Sequence, residues 1–153
     1  MTLKYELFNV REPDYDIVLI DTDIVYSSLK IKNSDKEITD MHLRILNAPR
    51  QEWFHYGSPL NKFDVPLIDI NVEHEINIVD GRHRVCWMKS KGMSKIPVAI
   101  SKSNHIIAFF KENGIAITSV KDMILPCNVT KKPPISLDIM AIANDVFNKI
   151  KKN

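Results

Sequence analysis

Cysteine is scarce: the 153 residues hold two, Cys86 and Cys127. Their separation matches no metal-ligand spacing, and nothing calls for a disulfide between them, so a reducing, cytoplasmic setting is expected. No apolar run is long enough to span a membrane, and the longest apolar cluster, residues 106–110, reads as core. Met1-Thr2-Leu3-Lys4-Tyr5-Glu6 lacks the apolar stretch of a signal peptide. A P-loop, a Cys/His zinc pattern and a serine-triad signature are all missing. So is a charge excess: the formal net charge is +2. That does not announce a nucleic-acid binder, although a local basic patch acts without a basic total. Lys89, Lys91, Lys95 and Lys102 do cluster along one stretch.

What is present is an ordinary globular balance, 44% hydrophobic and 26% charged residues. The length fits one domain over residues 1–153 with a sizeable core. Strands are expected at 3–9, 16–20, 65–72, 76–79 and 96–100. Asp21-Thr22-Asp23 would cap a helical turn, and residues 32–35 read as a polar loop. Thr39 would cap a helix burying Met41, Leu43, Ile45 and Leu46. Glu73-His74-Glu75 would make a hairpin turn. Ser103 would cap a helix to Lys111, and Ile115-Ala116-Ile117 reads as a short strand or buried connector. Pro126 and Lys131 to Pro134 read as exposed loop. Ser136 would cap a last helix carrying Leu137, Met140, Ala143, Phe147 and Ile150 at helical spacing. Mixed elements without a repeat give an α+β class, a small mixed sheet flanked by helices.

The most informative segment is Asp80-Gly81-Arg82-His83-Arg84. The apolar run 76–79 leads into it. An amphipathic stretch from Val85, with Trp87 read as core, leads out to Gly92 and then Ile96-Pro97-Val98. The order is strand, glycine turn, helix, glycine stop, strand. A helix N-terminus offers unsatisfied N–H groups and a partial positive charge. Two arginines and a histidine at that point suit phosphate or another anion. Gly81 allows close backbone approach, or simply makes the turn. Arg84 suits a bidentate phosphate contact, or a surface ion pair. Arg82 points to solvent or ligand. His83 suits phosphate contact or general acid–base work, or mere packing. Asp80 would bind a metal, orient His83, or accept backbone N–H bonds.

Residues 65–100 resemble the ParB/sulfiredoxin-like superfamily, in a variant reading Asp-Gly-x-His-Arg. The resemblance rests on the strand, hairpin, Val79-Asp80-Gly81-Arg82-His83-Arg84, helix and Ile96-Pro97-Val98, in that order and spacing. It covers about a quarter of the chain. It implies a phosphate-handling turn at Gly81, Arg82, His83 and Arg84, serving a nucleotide or nucleic acid. ATP or CTP with magnesium is the implied cofactor. His83 and Asp80 are the implied catalytic residues, with the metal itself unassigned. Sulfiredoxins carry cysteine after the glycine, where this chain has Arg82. ParB clamps carry glutamate there and a double arginine after it, then a helix-turn-helix domain. The departures point to a stand-alone member, nucleotide-binding or nuclease-type, of the kind encoded by a phage or mobile element. Two alternatives stand beside it: a small-molecule kinase of the free-serine type, and a non-catalytic regulator that binds a protein partner.

Other groups have a functional and a plain reading. Asp21, Asp23, Asp40 and Asp69 suit metal-assisted chemistry or capping and solvation. Asp40 and His42 suit a site on a helix edge. Trp53, Phe54, His55 and Tyr56 suit base stacking, an exposed partner-binding patch, or a core lid.

Overall fold

A computed structural model describes residues 3–45 and 48–127. In chain order these form β1 (Leu3–Phe8), β2 (Asp16–Asp21), α1 (Thr22–Lys32) and α2 (Asp35–Ile45). A 3₁₀ turn, Gln51–Trp53, leads to β3 (Phe54–His55), β4 (Lys62–Asp64), β5 (Leu67–Ile70) and β6 (Ile76–Asp80). Then come α3 (Arg82–Ser90), β7 (Lys95–Ile100), α4 (Asn104–Glu112), β8 (Thr118–Ser119) and β9 (Asp122–Leu125). The class is α+β. The final helix expected from Ser136 and the loop at 131–134 lie outside the described residues, as does Leu46.

The strands make two sheets. One has the order β3-β4-β1-β9, the other β6-β5-β7-β2-β8. Alternation fixes the inward face of β1: Tyr5 and Leu7 are buried between exposed Lys4 and Glu6. The long antiparallel pair β2–β7 runs from Asp16 opposite Ile100 to Asp21 opposite Lys95. All of β7 beyond Lys95 is buried, as suits a strand in the middle of a sheet. The expected hairpin is present: β5 and β6 pair antiparallel around Glu73-His74-Glu75, with His74 at φ 59°.

α3 packs against α1 and α2 and is sunk into the core. Val85, Cys86, Trp87 and Met88 are fully buried. The Trp87 ring meets Trp53 at 5.8 Å, Phe63 at 6.0 Å and Phe54 at 6.4 Å between centroids. These aromatics tie the helix to the 3₁₀ turn and to β3 and β4. Both cysteines are buried, and the Cys127 thiol donates to Tyr5 Oη at 3.8 Å.

Several sequence expectations are corrected. α2 starts at Asp35, not Thr39. Ser34 Oγ accepts from Glu37 N at 3.1 Å while Glu37 Oε1 accepts from Ser34 N at 3.1 Å, a reciprocal cap. Thr39 is an exposed mid-helix residue and Leu43 is exposed. The strand expected over 65–72 is confined to Leu67–Ile70, and Lys62–Asp64 forms a separate strand alongside β1. Residues 115–117 are a connector ahead of β8, with Ile115 and Ile117 packed against the core.

Candidate functional site

The site begins where β6 ends. Gly81 lies at φ 101°, in the left-handed region. A Cβ there would stand 2.8 Å from Arg84 Nη2, 2.9 Å from Arg84 Nε and 2.9 Å from Pro66 Cα. Dihedral and close approach both demand glycine. Glycine in turn leaves the start of α3 without a side-chain cap, and its first turn holds no acidic residue. The N–H groups of Arg82, His83 and Arg84 have no carbonyl of their own helix to bond.

Arg84 is the floor of this site. Its side chain is 5% exposed. Nη1 reaches Asp64 Oδ2 at 2.7 Å and donates to the Asp64 carbonyl at 2.8 Å, while Nη2 reaches Asp80 Oδ2 at 3.1 Å. A guanidinium removed from water requires such partners, and here it finds two carboxylates. Arg84 thereby pins α3 to the ends of β4 and β6. Asp80, the residue expected to orient His83 or carry a metal, pairs with Arg84.

Above this floor opens a cleft of about 400 Å³. Arg50, Glu52 and Arg82 form its charged rim, and Trp53 and Val79 its apolar wall. Arg50 Nη1 stands 3.5 Å from Glu52 Oε1. Arg82 is exposed and donates from Nη1 to Asn33 Oδ1 at 2.8 Å. Counted by sign, Arg50, Arg82 and Arg84 stand against Glu52, Asp64 and Asp80. The arrangement is not uniform: two of the acids hold the buried Arg84, and Arg82 projects at the helix start.

His83 lies between this cleft and a second hollow of about 170 Å³, lined on the α2 side by Glu37, Asp40, Met41 and Arg44. Its Nε2 is closed off from solvent and meets no hydrogen-bond partner. Burial pushes its pKa below the ordinary 6.5, and Arg50, Arg44 and Arg82 push the same way. The imidazole is therefore neutral at neutral pH.

Sequence reading located the turn and missed four charged residues of the site: Arg44, Arg50, Glu52 and Asp64. A signal for Arg50 existed, a basic residue just upstream of the aromatic cluster. Asp64, before Val65-Pro66, had none. Asp40 does come to the second hollow beside His83. The remaining candidates do not converge there. His42 Nε2 meets Tyr26 Oη at 2.9 Å, Asp21 caps α1, Asp23 pairs with Lys89, and exposed Asp69 accepts from its neighbour Ile70 N. The aromatic cluster is corrected too. Trp53 and Phe54 are core residues, and only Tyr56, 53% exposed, presents an open face. Residues 53–56 therefore form no continuous open face, although Trp53 lines the cleft from within the core.

Among the described residues no group of three or more His, Cys, Asp or Glu side chains is placed to hold a metal ion. Nor is any helix there long and apolar enough to cross a membrane. Compared with protein-family models, curated proteins and solved structures, the chain finds no match.

Proposed function

We propose that this protein binds phosphate at the start of α3, as part of a nucleotide or nucleic acid, in a ParB/sulfiredoxin-like fold. One observation carries the reading: the uncapped, glycine-led N-terminus of α3 opens into a cleft whose rim holds Arg50 and Arg82. Backbone N–H groups and the helix dipole would take the phosphate oxygens. Arg82, exposed, would add a forked contact. Arg84 acts from beneath by fixing the turn. A nuclease or phosphotransferase reaction would use His83 to move a proton, its ring being neutral and next to the cleft. ATP or CTP with magnesium and a short DNA strand are the ligands to try, and the scarcity of cysteine fits a cytoplasmic setting.

The test is thermal unfolding of the full chain with ATP, ADP, CTP, GTP and a short single-stranded DNA, each with and without magnesium. A ligand at about 100 times its dissociation constant adds about 2.7 kcal/mol, a rise of several degrees in Tm. One ligand should raise Tm in the wild type and lose most of that effect in Arg82→Ala. This variant removes an exposed charge and leaves the buried Arg84 pairs intact, which Arg84→Ala would not. If no nucleotide and no DNA raises Tm, the reading is wrong.

A further inference from the structure

His83 carries a buried ring nitrogen that this site leaves without a partner. The ring forms the partition between the two hollows, with Arg50 and Arg82 on one side and Arg44 and Arg82 on the other. Its Nε2 is enclosed and unpartnered. We propose that binding of a phosphate-type anion in the cleft takes up one proton on His83, so that affinity rises as the pH falls.

The inference rests on the phosphate reading of this site and adds its regulation. Charged groups face the ring from each element packed around it. From α2 come Glu37, Asp40 and Arg44; from the 3₁₀ turn and its approach, Glu52 and Arg50. β4 and β6 bring Asp64 and Asp80, and α3 itself Arg82 and Arg84. Lys32 of α1 lines the adjoining hollow on the other side of Arg82. Most of the acids are engaged elsewhere. Asp64 and Asp80 hold Arg84, Glu52 stands by Arg50, and Glu37 caps α2 through Ser34. With Arg50 matched to Glu52, Asp40 remains against Arg44 and Arg82.

In the free protein, burial and those arginines keep the imidazole unprotonated. A proton on the ring would add a further positive charge in an enclosed place. An anion seated among Arg50, Arg82 and the N–H groups of α3 reverses both conditions. It offsets the arginines' potential, and it offers an acceptor to an imidazolium N–H. By linkage, a ligand that raises the His83 pKa binds more tightly where the ring is protonated. His83 then enters the complex as a proton donor, which assigns it the acid role in any phosphoryl chemistry.

Sulfate is the probe, because it exchanges no proton between pH 5 and pH 8. Titrating the five histidine rings of the full chain by NMR, with and without saturating sulfate, reads the effect directly. The His83 midpoint should rise by about one unit, with the other four unmoved. Sulfate should bind up to about tenfold more tightly at pH 5.5 than at pH 7.5. In His83→Gln the ratio between the two affinities should fall close to one. If sulfate binds with the His83 midpoint unmoved and equal affinity at both pH values, the proton coupling is overturned and the phosphate site stands. If sulfate does not bind at either pH, both are overturned.

Discussion

At the residue scale, the difference between Asp64 and Asp80 decides what holds the turn together. Both carboxylates meet Arg84, yet Asp64 is 15% exposed and Asp80 41%. A pair shielded from water is screened less and leaves a costlier orphan when broken. Asp64→Ala should therefore destabilise the protein by about 1.5–3 kcal/mol. Asp80→Ala should lose less than about 1 kcal/mol. Urea midpoints at unchanged slope measure both; equal losses would mean that burial does not rank the two contacts. The Arg84 role was half legible. Its place at the turn followed from the strand-glycine-helix pattern, but its partner Asp64 lies 20 residues upstream, and no local rule names it.

At the element scale, the start of α2 shows how a legible signal is misread. Ser34-Asp35-Lys36-Glu37 has the spacing of a reciprocal cap, and the helix uses it. Thr39 has a cap residue's chemistry but sits within the helix. Ser34→Ala should cost about 1 kcal/mol. Thr39→Ala, on an exposed mid-helix site, should stay within about 0.5 kcal/mol of the wild type. Urea unfolding separates them, and a larger loss for Thr39→Ala would put the helix start where the sequence first suggested. The elements around the turn were read well because each signal is local. An apolar run marks β6, a glycine marks the junction, and Gly92 follows the end of α3. β4 was not foreseen, since three residues carry no period and its pairing with β1 is a long-range event.

At the scale of the whole molecule, buried titrating groups make stability depend on pH on both flanks. His83 has a folded pKa below the 6.5 of the unfolded chain. Between those values the unfolded chain holds the extra proton. Stability therefore falls as the pH drops from 6.5 through the folded value, then levels off. Cys86 works in the opposite direction, because burial pushes its thiol up to about 11 from an ordinary 9. Above pH 9 the unfolded chain releases that proton first, so stability falls toward pH 11 by about 2–3 kcal/mol. Tyr5, raised by its burial and by Cys127, adds to the same alkaline limb. Urea unfolding across pH 5–11 should show both limbs. His83→Gln should flatten the acid limb, and Cys86→Ala should shrink the alkaline one to the part that Tyr5 supplies. An acid limb unchanged in His83→Gln would assign it to other groups.

The sequence alone determined the α+β class, the hairpin, the glycine turn and the helix that follows it. These depend on residues within a few positions of one another, through periodicity, capping and a dihedral that glycine tolerates. Only the tertiary structure decided what the turn's side chains do. β4 brings Asp64 beneath Arg84, the 3₁₀ turn brings Arg50 to the rim, and α2 brings Arg44 and Asp40 beside His83. Strand pairing and helix packing make those contacts across 20 to 43 positions of chain, and distances of that kind leave no local pattern to read.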